Sequence, residues 1–231
     1  MSVGLLLVSH SARLAEGTVE LAREMAPDVV LESGAGDGAG GLGTSLEVVQ
    51  DALGRALPRA DGVVVLADLG SAVLTVETAL ELEDELAGRV RLADAPFVEG
   101  AVAAAVAAQQ GAGLDAVLAA AEGAGAPAAP TAPAPAATSG TATEANEAVS
   151  ARVVIRNPLG LHARPAAVVA RAAAAFGGPV TLQGVDATSV LQLMALGTAA
   201  GTEVEVSARG ADARDAVDTV VGLIEGGFGE V

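Results

Sequence analysis

The chain has 231 residues, room for one large or two small domains, and is dominated by Ala, Gly, Val and Leu with three Phe and no Trp or Tyr, so its core is expected to be aliphatic. Its formal net charge is −17, which argues against nucleic acid and anionic membranes as partners, since both need a basic footprint. There is no cysteine, which removes disulfides and thiolate metal sites, and nothing else in the sequence indicates a metal or a bound cofactor.

The first apolar run, Val3–Ser9, predicts a buried strand. It has no basic flank and is too short for a membrane helix, so the chain reads as cytoplasmic. Ala12–Met25 predicts a helix stopped by Pro27, and Val29–Glu32 a short strand. Gly34–Gly43 reads as a flexible Gly-rich loop. Thr44 and Glu47 then form a capping-box pattern, with Thr44 as N-cap of a helix to about Leu57. Gly62–Leu66 predicts a third strand, Ala72–Leu86 a helix, and Val90–Ala93 a fourth strand. Two Ala-rich helices follow, Val98–Gln110 and Leu114–Ala121. Strands alternating with helices imply an α/β domain over 1–123, with a mostly parallel, doubly wound sheet.

Residues 124–150 are almost entirely Ala, Pro, Thr, Gly, Ser and Glu, with prolines at 127, 130, 133 and 135; this composition predicts a linker. The rhythm then changes. Strands are expected at Ala151–Arg156, Val180–Gln183, Val185–Thr188 and Thr202–Ala208. Helices are expected at Ala163–Phe176, Val190–Leu196 and Ala211–Glu225. That order describes a small α+β split βαβ sandwich over 151–231. The charge is uneven: 19 acidic residues oppose 6 Arg up to Gly123, but 8 oppose 6 from Ala151 onward. The acidic first half either meets a basic partner or is simply well solvated.

Only two histidines occur. His10 ends the first strand. Ligands of open parallel sheets sit beyond the strand ends where strand order reverses, between the first and third strands in flavodoxin-like order. That rule brings His10 together with Asp68 and Ser71, which follow the third strand. Asp68 would fix the imidazole tautomer, leaving the other ring nitrogen to attack phosphorus, while Ser71 and helix N–H groups would hold the phosphoryl oxygens. Taken singly, Asp68 and Ser71 also read as turn and cap residues. A hydrolase built on Ser9 or Ser11 is disfavoured, because no Gly-x-Ser-x-Gly elbow precedes a helix. Gly34–Gly41 lacks the spacing of a dinucleotide fingerprint.

His162 lies in Gly160-Leu-His-Ala-Arg-Pro-Ala166 at an expected helix start. Pro165 suits a first turn, the helix N-terminus attracts phosphate, and Arg164 can add a charge-assisted bond. Two histidines fit to carry phosphate, joined by a linker, predict a relay.

Residues 151–231 resemble the phosphocarrier HPr of the bacterial phosphoenolpyruvate-dependent phosphotransferase system. The resemblance rests on Gly160–Ala166, Ser189–Leu196, Gly201 and Gly227–Glu230. It implies His162 as the phosphorylated residue, Arg164 as its phosphate ligand and Ser189 at the position of a regulatory serine; Thr188 stands where a Lys often precedes it. Residues 1–123 resemble the mannose-type enzyme IIA family, in the form found in bacterial dihydroxyacetone kinases, through Val8–Ser11, Asp68–Ala72, Glu77–Glu81 and Ala95–Gly100. This implies His10 as phosphoryl acceptor, Asp68 as its orienting carboxylate and a homodimer through the IIA domain. It also implies transfer to ADP on a separate kinase subunit and enzyme I acting in trans; a separate HPr stays open as a further partner, which activity surviving His162→Ala would reveal. Two alternatives stay open: a IIA–HPr component of sugar uptake, and a regulatory module read out by its phosphorylation state.

Overall fold

The computed structural model describes residues 2–86, 88–124 and 148–229. The chain separates into two compact units, Met1–Ala126 and Pro127–Val231. The predicted linker lies outside the described residues from 125 to 147.

The first unit runs β1 (Val3–Val8), α1 (Ala12–Met25), β2 (Leu31–Ser33), α2 (Leu46–Ala56), β3 (Gly62–Ala67), α3 (Gly70–Leu82), a 3₁₀ turn (Asp84–Leu86), β4 (Val90–Leu92), α4 (Phe97–Gln109) and α5 (Leu114–Gly123). The sheet order is β2-β1-β3-β4, every pairing parallel. Strands buried on both faces read as unbroken aliphatic runs, and all six residues of β1 are buried. Successive side chains point to opposite faces. Leu5, Leu7, Val64 and Leu66 pack with α1, α4 and α5, whereas Leu6, Val8, Val63 and Val65 pack with α2 and α3. Small residues let the helices sit close: a Cβ on Gly100 of α4 would meet both Ala95 Cβ and Leu66 Cδ2 at 2.9 Å.

Three local expectations need correcting. The N-cap of α2 is Ser45, whose hydroxyl accepts from Val48 N–H; Thr44 instead bonds Thr75 side chain to side chain at 3.0 Å. Both residues are good cappers, and the packing of α2 on α3 selects the second. Helix α3 begins at Gly70 rather than Ala72, and it ends at Leu82, where Glu83 leaves helical geometry. Ser71 is therefore inside the first turn and is not a cap. Finally, the Gly34–Gly43 loop is fastened: Gly36 N–H donates to the Ser9 carbonyl and Gly43 N–H to the His10 carbonyl, each at 3.0 Å. Asp37 Oδ1 closes it internally by accepting from Ala39 and Gly41 N–H, both at 2.8 Å.

The second unit runs β5 (Val149–Val154), α6 (Ala163–Ala174), β6 (Val180–Leu182), β7 (Val185–Asp186), α7 (Val190–Ala195), β8 (Glu203–Ala208), α8 (Ala213–Glu225) and a closing 3₁₀ turn (Gly227–Gly229). Its antiparallel sheet has the order β5-β8-β6-β7. Residues of β8 alternate between buried Val204, Val206 and Ala208 and the outward Glu203 and Glu205, which pair across the strands with Arg152. Such exposed pairs add about 0–1 kcal/mol each; the buried alternation holds the sheet to its helices. The α/β unit followed by an α+β unit is the fold order expected from the sequence.

Candidate functional site

Register places the first histidine. In the β1–β3 ladder Val8 is opposite Ala67, so the residues that leave these two strands emerge side by side. The order β2-β1-β3-β4 makes this the point where the chain winds one way and then the other, the location at which parallel sheets bind ligands. His10, Asp68 and Ser71 meet here.

The contacts form one chain. His10 Nδ1 is 3.0 Å from Asp68 Oδ1, and the His10 backbone N–H donates to Asp68 Oδ2 at 2.9 Å. The Ser9 hydroxyl donates to the same Oδ2 at 2.8 Å. On the other side of the ring, His10 Nε2 is 2.6 Å from Ser71 Oγ. An ionised carboxylate only accepts, so Nδ1 carries the proton. Nε2 then presents its lone pair, which accepts from the Ser71 hydroxyl. The imidazole is 25% exposed against 10% for the Asp68 side chain, so the ring reaches solvent while the carboxylate beside it is largely covered. Burial alone pushes the Asp68 carboxyl up. The bonds from the His10 ring, the His10 N–H and the Ser9 hydroxyl, with the electrostatic attraction of His10, outweigh it and hold the carboxyl below its ordinary value.

Helix N-termini supply the positive field. Helix α1 starts just after His10, with Ser11 as its N-cap, and α2 starts after Gly43, with Ser45. Helix α3 differs: its N-cap is Leu69 and no side chain closes it. Its opening N–H groups, with the Ser71 hydroxyl beside them, suit a phosphoryl group on Nε2. Exposed Leu14, Leu42 and Leu69 stand on the segments that hold His10.

Asp68, His10 and Ser71 are ordered as in a serine hydrolase, with the serine on one ring nitrogen and the carboxylate on the other. The serines that flank His10 in the sequence, Ser9 and Ser11, are not the ones on the ring: Ser71 takes that place from the neighbouring strand end, and Ser9 instead partners Asp68, a contact that the sequence does not announce. The available signal was a polar residue, fully buried here, at the end of an aliphatic strand.

His162 is the N-cap of α6, in extended backbone, and makes no side-chain cap bond. Its carbonyl accepts from Ala166 N–H at 3.0 Å. Pro165, in the first turn, is buried and needs no donor there. The loop before it is fixed by Gly160. With φ at +68°, a Cβ on Gly160 would overlap the Thr198 carbonyl oxygen and sit 2.9 Å from Ala199 Cα. The Asn157 side-chain amide donates to the Gly160 carbonyl, and Leu161 N–H donates to Thr198 O at 3.0 Å. Arg164 lies in the same first turn, exposed to solvent. Ser189 caps α7, its hydroxyl accepting from Gln192 N–H. Among the described residues, no group of three or more His, Asp or Glu is placed to hold a metal, and no helix is long and apolar enough to cross a membrane.

Comparison with known proteins assigns both units. Residues 4–118 match the family model "PTS system fructose IIA component", and residues 149–226 match "PTS HPr component phosphorylation site". A structure titled "Crystal structure of unknown function protein EF1359" is 34% identical, with a TM-score of 0.51 over 55% of this chain and 98% of its own. The phosphoryl donor subunit of PEP-dependent dihydroxyacetone kinase 2 from Listeria innocua is 42% identical over 106 residues, covering 45% of this chain and 84% of the relative. The chain belongs to that phosphoryl donor subunit family. The Klebsiella michiganensis family member is 37% identical over 99% of this chain and 51% of its own length. This chain thus spans about half the length of the relatives that match it from end to end. The sugar-uptake and purely regulatory alternatives are not favoured by these relationships.

Proposed function

We propose that the chain is a phosphohistidine relay. A phosphoryl group from phosphoenolpyruvate reaches His162 through enzyme I, passes to His10, and leaves for ADP on the nucleotide-binding subunit of a dihydroxyacetone kinase. The observation that carries this reading is the oriented ring: Asp68 on Nδ1, and Nε2 turned to the Ser71 hydroxyl beside an uncapped helix N-terminus. The working domain limits are 1–123 and 151–231, joined through 124–150; the shared chain keeps the two histidines at high effective concentration.

In the transfer step the Nε2 lone pair of His10 forms a bond to phosphorus as the P–N bond to the His162 ring breaks. The electron pair of that bond returns to the His162 ring. The His10 ring, keeping its proton on Nδ1, becomes positively charged, and Asp68 compensates that charge. The Ser71 hydroxyl turns from Nε2 to a phosphoryl oxygen. In the next step an ADP terminal oxygen displaces Nε2 and the ring returns to neutral. Little covalent chemistry is asked of the protein; positioning and electrostatics do the work. The exposed leucines around His10 suit successive docking of protein partners. Arg164 supports a phosphate on His162, Ser189 is a candidate regulatory site, and the first unit acts as a homodimer.

The test is reconstitution of the chain with enzyme I, phosphoenolpyruvate and both dihydroxyacetone kinase subunits. Dihydroxyacetone phosphate should form and should disappear with His10→Ala. Absence of product despite phosphate on both histidines would move the chain to another phosphotransferase branch.

A further inference from the structure

Ser9 is fully buried immediately after β1, a strand whose residues are all aliphatic or glycine. A hydroxyl there is costly unless both its roles are filled. Both are: Ser11 N–H donates to Ser9 Oγ at 3.0 Å, and Ser9 O–H donates to Asp68 Oδ2 at 2.8 Å. The direction of this second bond is fixed. The backbone N–H of Ser11 occupies a lone pair of Oγ, and the single hydroxyl proton is aimed at the carboxylate. Asp68 Oδ2 receives a second fixed donor, the His10 backbone N–H at 2.9 Å, and Oδ1 faces the ring. A proton on either oxygen would meet a donor already there. The Ser9 carbonyl is itself held by Gly36 N–H at 3.0 Å, so the fastened Gly-rich loop keeps the hydroxyl in place.

We infer that Ser9 is a positioning residue that fixes the orientation and ionisation of Asp68, and through Asp68 the ring tautomer that leaves Nε2 able to accept phosphorus. The inference rests on the relay reading for its functional consequence, but the tautomer claim stands apart from any partner. The titratable group acting on Asp68 is His10. Asp37, on the loop fastened to the His10 strand end, is engaged with Ala39 and Gly41 N–H, and Ser71 is the neighbour on the far side of the ring.

The experiment uses the full chain. With only two histidines, ring ¹⁵N–¹H spectra can be assigned by a His162→Gln variant. Wild type should show His10 with its proton on Nδ1. Ser9→Ala should raise the share of the Nε2–H tautomer, shift the acid limb of phosphoryl acceptance to higher pH, and slow acceptance roughly tenfold, as expected for losing one bond to a charged group. Ser9→Thr, which keeps the hydroxyl, should restore all three. If Ser9→Ala fails to fold, Ser9→Cys, close in size but a weak donor, carries the same expectations. An unchanged tautomer and acid limb in the folded variant would overturn the inference, whether or not the rate fell. Failure of the relay reading would appear separately, as a His10 that takes no phosphate in wild type.

Discussion

Replacing Asp68 by Asn tests the electrostatic core of the site while keeping its shape. The carboxylate accepts three bonds, from His10 Nδ1, His10 N–H and the Ser9 hydroxyl. An amide cannot satisfy all of them. With its oxygen toward Nδ1–H, its NH₂ faces the His10 backbone N–H, which cannot turn away. Flipped, its NH₂ faces Nδ1 and drives the ring proton to Nε2, removing the nucleophilic lone pair. A hydrogen bond to a charged group is worth about 1.5–3 kcal/mol. The part that differs between the resting ring and the charged ring of the transfer step is taken as ~3 kcal/mol, about two powers of ten in rate. Rapid-quench measurement of transfer from phosphorylated His162 to His10 should therefore show a fall of about a hundredfold at neutral pH. A folded Asp68→Asn protein that transfers within a factor of about three of wild type, under half the scale of one such bond, would refute the argument.

Ser71→Ala separates a carrier from a hydrolase with the same three residues: a carrier loses one phosphoryl contact and slows roughly tenfold, whereas loss of a serine nucleophile would remove nearly all activity; of Ser71→Ala and His10→Ala, only His10→Ala should abolish labelling of the first unit. Gly160→Ala should unfold the second unit at lower temperature by at least ~2 kcal/mol, through a positive φ and overlap with the Thr198 carbonyl, and calorimetry reads this directly. Stability should also respond to acid. Asp68 has a carboxyl held below its ordinary value, so its contribution is complete above about pH 4 and is lost as pH falls through the lower folded value. Thermal melts should fall more steeply below pH 4 in wild type than in Asp68→Asn.

The site in the first unit was legible because two aliphatic runs, Val3–Val8 and Gly62–Ala67, carry enough burial to fix a parallel pair, and strand order then decides which strand ends meet. The motif around His162 was legible locally, since Gly160, the helix start at His162 and Pro165 lie within one short stretch of chain. What escaped the sequence depends on tertiary choice between near-equivalent residues. Thr44 and Ser45 both cap well, and only packing selects between them. Glycines in Gly34–Gly43 permit flexibility, yet two backbone bonds and Asp37 fasten the loop to the His10 strand end. Ser9 looked like a flanking serine, and only the approach of Asp68 from the neighbouring strand gives its hydroxyl a partner.

The most direct measurement of the relay is a time course of label. The full chain is loaded from labelled phosphoenolpyruvate through enzyme I, with no separate HPr, and the His162 and His10 peptides are followed under alkaline conditions. Label should appear first on His162 and then on His10, and the His162→Ala chain should take label on neither. Direct labelling of His10 in that variant, with enzyme I as the sole donor, would contradict the order of transfer.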